Sequence, residues 1–236
     1  MYYGLYGFWD YTYILVIIGA AICLLASAHV KTTFNKYSKV RSYSGLTGRD
    51  TAERLRYYCG LNAVSVGHIG GNLTDHYDPR DKSVSLSDPV YASGSIAAIA
   101  VAAHECGHAM QDKEGYAALR FRTGMVPVVN FGSTISWPLI IIGLLINSHT
   151  GYIMIQAGII CFSLAVLFQL VTLPVEFNAS HRALVALQAY NIVDPEEIKM
   201  ARKVLVAAAL TYVAGAASSI LQLLRLLLLF GGRDDN

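Results

Sequence analysis

The sequence predicts a mainly α membrane protein: about four transmembrane helices and a small α+β unit outside the bilayer. Three observations predict it. Charged residues make up 14% of the 236 and hydrophobic residues 54%, whereas about a quarter of a soluble domain is charged. Four stretches are apolar over roughly the 20 residues that a bilayer core demands of a helix, and the mean hydropathy is +0.44. Of the 18 Lys and Arg residues, all except Arg225 and Arg233 fall in two segments between those stretches.

The first span is expected over residues 8–28. The opening MYYGLYGFWD has no basic residue, where a cleavable signal would carry a basic region. Its tyrosines and Trp9 suit an interfacial aromatic belt. The second and third spans are expected over 127–146 and 152–173, joined by the tight loop Asn147–Gly151. The fourth is placed at about 208–230, where Arg225 sits near enough to the end to snorkel to the interface. The two basic segments, 29–126 and 174–207, are then cytoplasmic by the positive-inside rule, and both termini lie outside. The whole of 1–236 reads as a single membrane-embedded domain, with those two segments forming its cytoplasmic part.

Within 29–126 the patterns change. Thr47-Gly-Arg-Asp50 is a helix start, with Thr47 or Asp50 as N-cap. Residues 62–73 hold short alternating runs such as Val64-Ser-Val66 and predict a strand; Asp75–Lys82, with Pro79, predicts a turn. Ser83–Ser87 alternates as a half-buried strand does, and an extended substrate could pair along its edge. Ser93-Gly-Ser-Ile then opens the helix IAAIAVAAHECGHAMQ, expected to stop near Gly115.

That helix carries the chemistry. His104-Glu-Cys-Gly-His108 is H-E-x-x-H: residues four apart share a helical face, so both imidazoles can hold one Zn²⁺. Glu105 follows directly and can take a proton from the hydrolytic water and pass it to the leaving amine. A catalytic zinc needs a third protein ligand and an open position. Gln111 and Glu114 stand where a three-histidine motif would continue with Gly and His, which excludes that arrangement. Glu114 serves as ligand only if the helix breaks early. Glu176 is the better candidate, because two spans separate it from the motif and return it to the same side of the membrane.

Ser180, His181, Arg182 and Tyr212 are candidates for an oxyanion donor or for a group that orients a ligand. Asp75 and His76 are candidates to line a substrate cleft. Cys23, Cys59, Cys106 and Cys161 form no C-x-x-C pair and read as reduced thiols. A formal charge of +2, without a basic run interleaved with aromatics, gives no sign of nucleic acid.

Three segments carry a resemblance to a known family: LTDHYDPRDKSVSLS (Leu73–Ser87), SIAAIAVAAHECGHAMQ (Ser95–Gln111) and VEFNASHRAL (Val175–Leu184). The chain resembles, from first span to last, the bacterial neutral zinc metallopeptidases of the YugP-like membrane family. In layout it is similar to the CAAX prenyl proteases and HtpX-type membrane proteases. The resemblance implies a zincin-like cytoplasmic unit with a gluzincin site, one Zn²⁺ per chain, with His104, His108 and Glu176 as ligands. It departs in one place: those membrane proteases carry Asp four residues after the ligand glutamate, and here Ser180 stands there. The histidine must then be oriented by Ser180, a backbone carbonyl or another carboxylate. The expected function is hydrolysis of membrane proteins or peptides at the cytoplasmic face of the bacterial plasma membrane. A zinc-binding membrane scaffold without turnover is the competing class.

Overall fold

The structure, a computed structural model, describes residues 10–146 and 148–231. The N-terminal aromatic stretch and the start of the first expected span lie outside the described residues. Ten elements follow in order: α1 (Tyr13–Tyr37), α2 (Gly48–Tyr58), β1 (Ser65–His68), β2 (His76–Asp78), β3 (Ser83–Leu86), α3 (Asp88–Tyr91), α4 (Ile96–Glu114), α5 (Ala117–Leu145), α6 (His149–Ala189) and α7 (Pro195–Phe230). Among the described residues four helices, α1, α5, α6 and α7, are long and apolar enough to cross a membrane.

These helices run past the expected spans. At 1.5 Å per residue the 41-residue α6 is about 60 Å long, against a bilayer core of about 30 Å. The apolar count marks only the lipid-compatible part; the helix itself continues as long as its backbone bonds do. Even Pro174 does not end α6, although its ring removes one hydrogen bond.

The chain divides into two compact units. The first comprises Met1–Ala26, Phe121–Thr172 and Tyr212–Asn236. Small residues bring its helices together: a Cβ on Gly19 would meet the Ser218 hydroxyl, and one on Gly158 would meet the Ser136 carbonyl oxygen. Such close approaches are how helices associate without a hydrophobic drive between them. Large apolar side chains such as Leu24, Leu25 and Ile141 point outward, as a lipid-facing surface requires. Arg225 is buried, its guanidinium 5.2 Å from the Tyr13 ring, where a cation over an aromatic face is partly compensated.

The second unit comprises Ser27–Arg120 and Leu173–Thr211. Its helices start where the sequence says. Thr47 and Asp50 complete a reciprocal capping box on α2, Ser95 caps α4 by accepting from the Ala98 N–H, and Gly115 ends α4 in the left-handed region at φ 67°. α4 is buried around most of its surface, and its Ile96 and Ile99 join Leu55, Leu86, Leu187 and Ile192 in the core. An alanine-rich helix fits there because it can be approached closely from several sides.

The sheet corrects two expectations. Asp75–Lys82 is not all turn: His76–Asp78 forms β2, and the turn tightens to Pro79–Lys82. The strand order is β1-β3-β2, with β3 parallel to β1 and antiparallel to β2. β3 is therefore the central strand with both sides paired, and a substrate cannot add along Ser83–Ser87. The alternation there reflects one buried face, with Val84 and Leu86 inward, and says nothing about which strand is an edge.

Candidate metal centre

α4 and the second half of α6 place three ligand-type side chains together. His104, His108 and Glu176 each offer a donor atom, and these atoms all lie within 4.8 Å of one another. The Glu176 Oε2 is 3.2 Å from His104 Nε2 and 3.5 Å from His108 Nε2. The two imidazoles are edge to face, 84° apart in plane and 4.8 Å between centroids. All three side chains are largely shielded from solvent, the Glu176 side chain being 3% exposed.

Helix spacing explains the histidine pair, and a close helix contact explains the glutamate. A Cβ built on Gly107 would lie 2.4 Å from the Ala179 carbonyl oxygen, so only glycine lets α4 come so near α6. Glu176 and Ser180 flank Ala179 on α6 and both reach His104.

Each imidazole also has a partner at its other nitrogen. Ser180 Oγ lies 3.1 Å from His104 Nδ1, so among the options the sequence left open Ser180 is within hydrogen-bonding reach of the ring. His108 Nδ1 lies 3.0 Å from Gln111 Oε1. In the sequence Gln111 stands out only as a residue that excludes a three-histidine motif. Its place three residues after His108, on the same helical face, was the available signal.

Glu105 is buried. Burial pushes its carboxyl above the ordinary range; the nearby His104 and His108 pull it down, while Glu176 and Asp75 push it further up. Burial draws the His108 imidazole down, but the Glu176 and Glu105 carboxylates outweigh it and leave the group raised. Cys106, between the histidines, is a buried thiol held far above its usual range by desolvation.

The other candidates separate. Asp75 lies within electrostatic reach of Glu105 and accepts from the Ser87 N–H and hydroxyl, both at 2.7 Å. It thereby ties the loop before β2 to the end of β3. His76 is exposed and turns its Nδ1 to the Thr74 carbonyl. Arg182 donates to Asn178 and, at 2.7 Å, to Glu114. Glu114 is thus in an exposed ion pair and outside the ligand cluster. His181 and Arg182 line a cavity of about 560 Å³ with Met110, Asn178 and Tyr190; His104, Glu105, His108 and Glu176 do not line it. Tyr212 is on α7 in the first compact unit.

Over 223 residues the chain is 48% identical to a Bacillus subtilis (strain 168) protein named "Putative membrane protease YugP", covering 94% of this chain and 98% of that protein. No solved structure matches. A family model described as "Putative neutral zinc metallopeptidase" matches residues 12–231, and with nearly the whole chain spanned, the protein belongs to that family.

Proposed function

We propose that the protein is a zinc-dependent membrane endopeptidase, with His104, His108 and Glu176 as zinc ligands and Glu105 as general base and acid. The observation that carries the reading is the convergence of two imidazole nitrogens and one carboxylate oxygen from α4 and α6 within 4.8 Å. The donor set fits zinc: two nitrogens and one oxygen are its usual catalytic complement, with a position left for water or substrate. Each imidazole has its second nitrogen engaged, at Ser180 and Gln111, as metal-bound histidines do.

A zinc ion held by these residues supplies Lewis acidity, making water more acidic and polarising a scissile carbonyl. Glu105 holds the proton taken from water at its carboxylate and delivers it to the leaving nitrogen. A carboxylate that takes up a proton from water can return it as the acid, so one group serves both halves of that task.

The basic residues of 29–126 and 174–207 support a cytoplasmic position for this unit, with both termini outside. Substrates are then membrane proteins or peptides presented at the cytoplasmic face of the plasma membrane.

Metal analysis of detergent-purified protein tests the ligand set. Near one zinc per chain is expected in the wild type and in Glu114→Ala, with loss in Glu176→Ala. Zinc kept by Glu176→Ala and lost by Glu114→Ala would overturn the assignment. Glu105→Gln should keep the metal and lose peptidase activity; a zinc-replete wild type that cleaves no membrane peptide would favour the scaffold class.

A further inference from the structure

Gln111 is fully buried, yet neither ligation nor apolar packing accounts for it. Its Oε1 lies 3.0 Å from His108 Nδ1. Its Nε2 donates to the Val175 carbonyl at 2.8 Å and to Asn178 Oδ1 at 3.0 Å. The carbonyl can only accept. Asn178 Oδ1 is fixed as an acceptor too, because it also receives the Arg182 Nε–H at 2.7 Å and a guanidinium has no acceptor to offer. The amide of Gln111 therefore cannot be reversed: its nitrogen faces two oxygens, and its oxygen faces His108. An oxygen opposite Nδ1 requires that Nδ1 carry the proton, which leaves the Nε2 lone pair for a metal.

From this geometry we infer that Gln111 is the positioning residue of the metal centre, fixing the tautomer and ring plane of His108. The inference rests on the zinc reading above. Gln111 is itself fixed from α6, by Val175 and by Asn178, which the Arg182–Glu114 pair holds in turn. A neutral amide thus does for His108 what a carboxylate does in many zinc sites, and Ser180, also neutral, does the same for His104. One side chain sets both the orientation of a ligand on α4 and the seating of α4 on α6 beside Glu176.

The test is zinc affinity, measured in detergent by competition with a chromophoric chelator, together with the visible d–d spectrum of the cobalt-substituted protein. Gln111→Met fills the same space without an acceptor and should weaken zinc by about 10- to 100-fold and change the cobalt bands. Gln111→Glu keeps an acceptor oxygen toward Nδ1 but loses the donors to Val175 and Asn178, so it should bind zinc more tightly than Gln111→Met, with cobalt bands nearer those of the wild type. Asn178→Ala loosens the amide from outside and should weaken zinc several-fold. Equal losses in the Met and Glu variants would mean that Gln111 only ties the helices together, and would overturn the inference. So would a Met variant with wild-type affinity, or, should that variant not fold, an Asn178→Ala protein indistinguishable from wild type. A wild type that binds no zinc would instead remove the metal reading on which the inference stands.

Discussion

A carboxyl buried beside other acids destabilises a fold when ionised, and Glu105 is such a group. Its folded pKa is raised above an unfolded value of about 4.3. A raised carboxyl contributes its stability below the unfolded pKa and loses it as pH climbs through the folded one. In metal-free protein, Glu105→Gln should therefore melt a few degrees above wild type near neutral pH, and the gap should close as pH falls toward about 4.3. Thermal unfolding in detergent with chelator checks this; a gap that widened toward acid would reverse the sign. The same variant should lose about 10²- to 10⁴-fold in turnover, the usual contribution of general acid–base catalysis. Ser180→Ala, which removes the group 3.1 Å from His104 Nδ1, should weaken zinc by about tenfold with little effect on folding. At this scale the sequence was legible where local geometry decides. The histidine pair and Glu105 follow from one helical turn, and Glu176 from the return of the chain to one side of the membrane. Gln111 was not legible as an orienting group, because its role depends on which oxygens of α6 meet its amide.

Elements were legible wherever backbone chemistry marks their ends. Thr47, Ser95 and Gly115 stand at the helix boundaries because a hydroxyl cap and a left-handed stop are local requirements. β2 escaped notice because Asp75, Asp78 and Pro79 look like a turn, while three residues suffice for a strand once β3 supplies the partner. The contact that seats α4 on α6 escaped for a similar reason: a glycine inside H-E-x-x-H looks incidental until Ala179 is beside it. Gly107→Ala would set a methyl 2.4 Å from the Ala179 carbonyl oxygen, and backbone, unlike a side-chain tip, cannot swing away. The expected result is a loss of about 1–3 kcal/mol in stability, as for other overpacked cores, accompanied by weaker zinc binding. Gly124 is the control, because a Cβ there meets nothing within 4 Å. Gly124→Ala should leave zinc affinity unchanged, with stability unchanged or raised by up to about 1 kcal/mol. Equal behaviour of the two variants in a zinc titration would show that close approach at Gly107 does not govern the site.

For the whole molecule, charge and hydropathy make a claim that geometry alone cannot, namely which side of the membrane the metal centre faces. Four helices suffice to cross a bilayer, and an even number of crossings puts both termini on one side. The Lys and Arg residues flanking those helices fall almost wholly in 29–126 and 174–207, so moving both segments outward would carry that positive charge against the insertion bias. The same arrangement keeps α4 and the end of α6 on a common side, which the ligand cluster requires. The prediction is therefore joint. A reporter active only outside the membrane should work when fused after residue 236, while a cysteine introduced at the exposed Asp81, with the native cysteines replaced, should react with an impermeant thiol reagent only after lysis. Inactive C-terminal fusions together with labelling of intact cells would invert the protein and put the peptidase outside. Agreement at the C-terminus with labelling of Asp81→Cys in intact cells would mean an even number of crossings between them, and one of α5, α6 and α7 would not span.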